Sequence, residues 1–209
     1  MNDNINAPLA KRFRGFFPVI IDVETSGFDA KTNALLEIAA VTVEMNEHGF
    51  LQPKQSLFYA TRPFENAKLD PASLAFTGII PDHPFRMAID EKKALTELFS
   101  ALKKEMKLAH CKRCVLVGHN AAFDLSFVTA ACERNHIKNV FHPFTTFDTA
   151  ALSALALGET VLATALERAK LAFDNKQAHS ALYDAERTAE LFCFIVNRWQ
   201  ELGGWEEIS

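Results

Sequence analysis

FFPVIIDVE, residues 16–24, is the stretch that decides the fold, because it is a nearly continuous apolar run ending in two carboxylates. It is rich in Val and Ile, too short for an isolated helix and bounded by Gly15 and Gly27, which predicts a buried central strand. Asp22 and Glu24 lie two residues apart, so a strand projects both side chains from one face. Two carboxylates this close repel each other unless a cation neutralises them. The pair therefore indicates a hard cation, with a solvated strand end as the alternative.

The rest of the chain supplies further strands and then a series of helices. Strands are predicted over 35–45, 56–61 and 114–117, with another ending at 146–147. Helices are predicted, mostly from apolar residues at helical spacing, over 70–76, 90–107, 122–135, 149–157, 161–171 and 180–202. Strands first, and then strands alternating with helices, predict an α/β fold in which helices flank a mixed central sheet.

Length and composition limit the class of protein. With 209 residues, 49% of them hydrophobic, the chain is expected to form a single domain over residues 1–209, with residues 1–15 as a basic amino-terminal arm. No apolar run approaches the ~20 residues of a membrane span, and residues 1–14 lack the apolar block of a secretion signal. We therefore expect a cytoplasmic protein that does not use a membrane.

The four cysteines are too few and too scattered for a disulfide scaffold, so reduced thiols are expected. Cys111 and Cys114 form a CxxC pair, but the sequence has no second CxxC or HxxxH to complete a zinc site. Small, partly buried residues are the alternative that we favour over a metal or redox role for this pair.

The net charge of −4 means that any binding of nucleic acid must depend on local basic patches. Two patches are candidates for this role, with a solvated charged surface as the alternative for each. The first lies near the amino terminus and the second at the end of a predicted helix and its following loop: Lys11, Arg12 and Arg14; and Lys103, Lys104, Lys107, Lys112 and Arg113.

Two further motifs place acids where they could join Asp22 and Glu24. Asp124 follows the second predicted buried strand, which would deliver it to the same end of the sheet, although an acid in the first turn of a helix is also explained by the helix dipole. Asp184 lies five residues after His179, and five helical residues turn about 140° beyond a full turn. The two side chains can therefore meet only if His179 lies on the loop before the helix.

Taken in order, these motifs resemble those of the DEDDh exonuclease superfamily. The matching positions are Asp22 and Glu24 in the first motif, Asp124 in HNAAFD, and His179 and Asp184 in the last. The resemblance extends over nearly the whole chain, through RFRGFFPVIIDVETSGF, LLEIAAV, LAFTGI, FHPFTTFDTAAL, QAHSALYDAERTA and VNRWQELGGW. It implies a ribonuclease H-like fold and a magnesium-dependent 3′-to-5′ exonuclease.

The resemblance is greatest to a bacterial branch of this superfamily whose members are homodimers. It implies trimming of the 3′ ends of transfer RNA and other stable RNA precursors, and digestion of single-stranded DNA. It also implies that Phe28, Phe76, Phe123 and Phe144 stack on bases near the scissile bond, whereas core packing is the usual role of a Phe. The chain departs from the branch at Ala72, where a glutamate contributing to nucleotide preference is common, so discrimination against a terminal C is expected to differ.

The residue types define the expected chemistry. Asp22, Glu24, Asp124 and Asp184 are oxygen ligands suited to two Mg²⁺ ions per subunit, with Mn²⁺ as a substitute. His179 is expected to be the general base, since a histidine accepts a proton near neutral pH. Arg12, Arg14, Lys107 and Arg113 are the candidate RNA contacts, Asp148 is a predicted cap for the helix that starts at Thr149, and Glu37 is a predicted structural acid.

Three other functions stay open on the sequence alone. A proofreading-type 3′-to-5′ exonuclease acting on DNA would use the same residues. A nucleic-acid-binding module that has lost catalysis would keep the fold but carry some other defect. A hydrolase that uses paired carboxylates without a metal would be insensitive to a chelator.

Overall fold

The computed structural model describes residues 8–204, and a five-stranded sheet with the strand order β3-β2-β1-β4-β5 organises them. β1 pairs antiparallel with β2 and β2 with β3, whereas β1 pairs parallel with β4 and β4 with β5. The strands are β1 (Phe16–Thr25), β2 (Leu35–Met45), β3 (Leu51–Ala60), β4 (Arg113–Gly118) and β5 (Phe141–Asp148). The predicted mixed α/β sheet is therefore confirmed.

Seven helices accompany the sheet in the described part of the chain. They are α1 (Pro8–Arg12), α2 (Pro71–Thr77), α3 (Glu91–Leu108), α4 (Ala122–Arg134), α5 (Thr149–Leu157), α6 (Leu162–Arg168) and α7 (Ala181–Glu201). α7 packs against β1, β2 and β3, while α3 contacts β2, β3 and β4, and α4 contacts β1 and β4. β1 is buried along nearly its whole length because helices cover the centre of the sheet, as its apolar sequence predicted.

β3 begins five residues before the predicted strand at 56–61. Its first half, LQPKQ, is almost entirely exposed because β3 is an edge strand, so it carries no apolar pattern to predict it from. Pro53 is tolerated at this edge, where the pairing register with β2 shifts between Thr42 and Val43. β5 was likewise predicted only at its end, since Pro143 and exposed Phe144 interrupt its apolar run.

The predicted basic arm is only partly described, because residues 1–7 lie outside the described range. Residues 8–12 are not an extended arm but the helix α1, whose Leu9 is 5% exposed and belongs to the main core. Arg12 lies partly buried against α7 and donates a hydrogen bond from Nη2 to the carbonyl of Val196 at 3.3 Å. The amphipathic pattern of α1 is too short to be recognised as a helix from sequence.

One stretch, Thr149–Arg168, passes a test for a membrane span by length and composition alone, a test that core helices of globular proteins also pass. This stretch is not one continuous helix. α5 ends at Leu157 and is followed by Gly158, whose φ of 70° is left-handed. α6 then packs Ala165 and Leu166 into a small cluster with α7. The apolar character of this stretch therefore serves packing between helices as well.

The four cysteines are free and buried. Burial raises the pKa of Cys111 to about 11 and that of Cys114 to about 12, which disfavours the thiolate that a metal or an oxidant requires. The packing role favoured for the CxxC pair agrees with this environment.

Candidate active site

The carboxyl end of β1 carries the first two acids of the site. Asp22 pairs with Ala39 of β2 in the sheet register, and Glu24 pairs with Glu37. Ligand oxygens of Asp22, Glu24 and Asp184 all lie within 4.8 Å of one another. The strand thus brings two carboxylates to one face, as the spacing predicted. The third carboxylate comes from α7, which packs against β1, β2 and β3.

Asp124 enters the site from the first turn of α4 and is 5% exposed. Its Oδ1 accepts a hydrogen bond from the backbone N–H of Val23 at 3.1 Å, which ties α4 to the end of β1. A Cβ at Gly118 would lie 2.9 Å from Oδ2 of Asp124, so only glycine allows the end of β4 to approach this closely. The parallel pairing of β1 and β4 therefore delivers Asp22 and Asp124 to the same edge of the sheet.

His179 and Asp184 approach the site in the arrangement that their spacing required. His179 is exposed and precedes α7, with a left-handed φ of 66°, and its N–H donates to Oδ2 of Asp184 at 2.9 Å. The imidazole lies against the ring of Phe76, with ring centroids 4.2 Å apart. The backbone of His179 is thus hydrogen-bonded to Asp184, which forms an acidic cluster with Asp22 and Glu24. The imidazole ring packs on Phe76 of α2.

Crowding of the carboxylates governs the electrostatics of the site. Burial and the neighbouring acids raise the pKa of Asp22 well above its usual range, with Asp124 and Asp184 as the strongest neighbours. Burial, Asp184 and Glu37 raise the pKa of Glu24 to about 8. Desolvation also raises the pKa of Asp124, although its backbone hydrogen bonds act in the opposite direction. Excess negative charge at one buried point is what a bound divalent cation would relieve.

The acidic cluster fits a divalent metal ion. Its donors are carboxylate oxygens without thiol or imidazole, a set that suits hard cations such as Mg²⁺ and Mn²⁺. Among residues 8–204 it is the one group of His, Cys, Asp and Glu side chains close enough together to hold a metal ion. The site therefore binds a divalent metal.

A pocket lined by aromatic rings adjoins the acids, with a volume of about 360 Å³. Phe28 and Phe76 are exposed over 84% and 68% of their surface, and Phe28 meets Phe123 edge to face at 6.2 Å. Glu24 forms part of the same wall, and Ala72 lines the pocket where the resemblance led us to look for a glutamate. Exposed aromatic rings beside a cation site can stack on nucleobases while a phosphate reaches the metal.

Phe144, the fourth phenylalanine of the predicted set, lies apart from this pocket. It is 81% exposed and lines two other grooves, one of about 570 Å³ with Arg12 and Arg14, and one of about 590 Å³ along α4. Within one chain, Phe144 therefore lies beside the amino-terminal basic residues, and the structure brings only the other three aromatic residues to the acids.

The predicted basic contacts lie at the opposite edge of the sheet from the acids. Arg113 begins β4, opposite Phe16 at the start of β1, and donates to the carbonyl of Phe141 at 2.7 Å. Lys107 lies in the last turn of α3. Since β1 and β4 run in parallel from this edge to the acids, neither residue reaches the acids of its own chain.

Two acids near the site have roles that sequence reasoning captured in part. Glu37 was predicted as a structural acid, and its carboxylate accepts from the backbone N–H of Ala181, at the start of α7. Asp148 was predicted as the cap of α5, and its Oδ1 accepts from the N–H of Ala150 at 2.8 Å. Its additional bonds to the turn before α4 were missed, because they join segments 27 and 28 residues apart in the chain.

The raised pKa of Glu24 predicts how the metal-free protein responds to pH. A carboxyl whose pKa rises from 4.5 unfolded to about 8 folded binds more protons in the folded state, so the free energy of unfolding falls as pH rises between these values. We expect a loss of roughly 2 kcal/mol or more between pH 5 and 8 in metal-stripped protein, measured by urea unfolding. Saturating Mg²⁺ and the change Glu24→Gln should each flatten the dependence, and a stability that rises with pH would contradict it.

Comparisons with known proteins agree with this geometry. The RNase_T exonuclease family model matches residues 19–192. Ribonuclease T from Photorhabdus laumondii subsp. laumondii is 60% identical over 198 residues, covering 94% of this chain and 91% of that protein.

Solved structures share the fold at lower identity. Exonuclease I from E. coli, solved in complex with a dT13 oligonucleotide, is similar with a TM-score of 0.68 and 16% identity over 89% of this chain, which spans only 42% of that enzyme. The nuclease domain of 3′hExo, a DEDDh family member solved with bound rAMP, has a TM-score of 0.60 and 18% identity, covering 90% of this chain and 92% of that domain. With a family model spanning most of its length and a relative this similar, the chain belongs to the RNase_T exonuclease family.

Proposed function

We propose that this chain trims the 3′ ends of transfer RNA and other stable RNA precursors by hydrolysing the terminal phosphodiester bond, with release of 5′-mononucleotides. The chain is a 3′-to-5′ exoribonuclease, and the acidic cluster at the end of β1 is the observation that carries the proposal. Its 60% identity to ribonuclease T supports RNA as the substrate. We further propose that residues 1–209 act as a single exonuclease domain in the cytoplasm, without a membrane.

Asp22, Glu24, Asp124 and Asp184 are proposed to hold two Mg²⁺ ions per subunit, with Mn²⁺ as a substitute. When bound, such ions stabilise the negative charge that develops on the phosphate and on the leaving oxygen. The bound cations would also relieve the mutual repulsion of the four carboxylates. The raised pKa values of these groups are therefore what is expected of a site that binds cations.

His179 is proposed as the general base that accepts a proton from the attacking water. The backbone bond from His179 to Asp184 keeps it at the rim of the acidic cluster, and its exposure leaves the ring free to move off Phe76. The pocket formed by Phe28, Phe76 and Phe123 would hold the terminal base by stacking, worth about 1–3 kcal/mol per base. A terminal base stacked in this pocket would lie beside the acids.

The remaining predicted contacts concern the strand upstream of the terminal base. We propose a homodimer in which Arg12, Arg14, Lys107, Arg113 and Phe144 of one subunit serve the active site of its partner. Support comes from Arg113, which begins β4 at the end of the sheet away from the acids of its own chain, and from the groove that Phe144 shares with Arg12 and Arg14. A four-acid cluster repels a polyanion, so basic side chains must be supplied close to it from elsewhere.

The double change Arg12→Gln and Arg14→Gln should weaken RNA binding. The slope of the logarithm of affinity against the logarithm of salt concentration should fall by the amount that corresponds to about two phosphate contacts. Hydrolysis of a mononucleotide ester should be unchanged, since such an ester has no upstream strand for these side chains to contact. Because Arg12 also packs against α7, Arg14→Gln alone is needed to exclude a structural cause. Arg62→Gln, at an exposed ion pair with Asp90, is the matched control, and RNA affinity equal to wild type in the double variant would reject the role.

The test of the proposed function is the release of nucleotides from a 3′-labelled, tRNA-like RNA. We expect single 5′-mononucleotides released from the 3′ end only when Mg²⁺ or Mn²⁺ is present. Release that persists after metal removal would favour a metal-free hydrolase. Binding of RNA by folded protein without any release would favour a catalytically silent nucleic-acid-binding module.

Single-stranded DNA is the second substrate that a specific observation favours, because exonuclease I was solved with a dT13 oligonucleotide in the same fold. The metal site cannot distinguish RNA from DNA, since the reacting phosphodiester is the same in both. A competition between an RNA with a 3′ overhang and single-stranded DNA of matched sequence, followed by separate labels, measures the preference. A preference for RNA supports end trimming, and a strong preference for DNA would indicate a proofreading-type exonuclease.

A further inference from the structure

Two helix amino termini converge on the side chain of Asp148, at the end of β5. Its Oδ1 accepts from the N–H of Ala150 at 2.8 Å and so caps α5. The same carboxylate accepts from the N–H groups of Asn120 and Ala121, at 3.2 and 3.1 Å, in the turn that leads into α4. One carboxylate therefore satisfies amide donors at the start of two helices, where negative charge is stabilising.

α4 depends on this external cap because it has none of its own. Its N-cap position is Ala121, which offers no side-chain acceptor, and Asn120 before it has a left-handed φ of 70°. A strained turn of this kind persists only where its surroundings hold it. In this case Asp148 supplies the acceptors that the local sequence lacks.

His119 holds the same turn from its other side. Its Nε2 lies 2.7 Å from the carbonyl of Thr160, and its Nδ1 lies 3.0 Å from Oγ1 of Thr149. Thr149 in turn donates to the carbonyl of Gly118 at 3.1 Å. The turn over residues 118–121 is thus fixed against α5 at four consecutive residues.

This turn determines where Asp124 lies, because α4 begins directly after it. Asp124 has little freedom of its own, since its Oδ1 is bonded to Val23 and its Oδ2 would touch a Cβ at Gly118. A small rotation at the start of α4 would therefore move the carboxylate relative to Asp22. Residues that orient a metal ligand typically change metal affinity by about 10- to 100-fold when removed.

We propose that Asp148 is a positioning residue for the metal site, which sets the orientation of α4 and hence of Asp124. The inference rests on the proposed metal-binding function of Asp124. Asp148 itself touches neither the substrate nor the metal; it acts through the amides of Asn120 and Ala121.

The experiment compares Asp148→Asn and Asp148→Ala with wild type in Mn²⁺ titration by calorimetry, without substrate. We expect roughly 10-fold weaker binding for Asp148→Asn, which keeps one acceptor oxygen and the cap of α5, and up to about 100-fold for Asp148→Ala. Hydrogen exchange of the amides over residues 118–125 should become faster in both. The Mg²⁺ concentration for half-maximal activity should rise by the same factor, while kcat at saturating metal stays within a few-fold of wild type.

Asn46→Ala is the structural control. Asn46 lies in the turn between β2 and β3, where its Oδ1 accepts from the N–H groups of His48 and Phe50 at 3.0 Å, so its loss destabilises that turn without touching α4, α5 or the turn over residues 118–121. We expect a lower Tm with unchanged Mn²⁺ affinity. Mn²⁺ binding by Asp148→Asn equal to wild type would overturn the inference and leave the proposed function intact. Absence of Mn²⁺ binding by the wild type would overturn both.

Discussion

Replacement of Asp22 by asparagine is expected to lower kcat on RNA by about 10³-fold or more, because one of the four acids proposed to hold the metal becomes neutral. Loss of a single preorganised charge-stabilising group already costs about 10²–10³ in kcat, and a metal ligand affects both the metal and the phosphate it stabilises. The substitution preserves shape, so the aromatic pocket and RNA binding should change little. Single-turnover release of the terminal nucleotide at saturating enzyme measures the effect.

The same change should make the metal-free protein more stable. Asp22 lies among Glu24, Asp124 and Asp184, and their repulsion together with burial disfavours its charged form. Removing that charge should raise the Tm of metal-stripped protein by several degrees, equivalent to about 1–2 kcal/mol. Lower activity together with higher stability identifies a residue that serves function and lowers the stability of the protein.

Asp90→Asn is the matched control for Asp22→Asn. Its side chain is 74% exposed and pairs with Arg62, so neutralising it should change neither activity nor Tm appreciably. If Asp22→Asn instead retained activity within about tenfold of wild type, the proposed metal site would be wrong. If it lost activity and stability together, a structural defect would explain the result.

The centre of the fold and of the site could be predicted from the sequence because both depend on local signals. An apolar run that is buried on both faces marks β1, and a spacing of two puts Asp22 and Glu24 on one face. The spacing of five from His179 to Asp184 excludes a shared helical face, which correctly placed His179 before α7. Each of these inferences uses geometry that does not depend on distant residues.

What could not be predicted depends on contacts between distant segments. The first half of β3 forms a strand only because it pairs with β2, and its exposed residues carry no alternating pattern. The resemblance implied the same stacking role for Phe144 as for the other three phenylalanines, yet the course of β5 places it in separate grooves. The bonds from Asp148 to Asn120 and Ala121 likewise exist only once β4 and β5 pair. Sequence therefore indicated which residues carry the chemistry but not what holds them in place.

Replacement of His179 by asparagine is expected to lower kcat by about 10²–10⁴-fold while leaving metal affinity unchanged, because the general base is lost but no metal ligand is. Asparagine is preferred to alanine for this test, since it tolerates the left-handed φ of 66°. The backbone N–H that donates to Asp184 is kept in either variant.

Comparison of Asp22→Asn with His179→Asn tests whether metal binding and proton transfer are carried by different residues. Asp22→Asn should weaken Mn²⁺ binding and raise stability, whereas His179→Asn should do neither, since His179 is exposed and outside the acidic cluster. His48→Asn, an exposed histidine beside Glu47, is the control and should retain full activity. Weaker Mn²⁺ binding in His179→Asn would contradict this separation of roles, because it would mean that the imidazole itself helps to hold the metal or to orient Asp184.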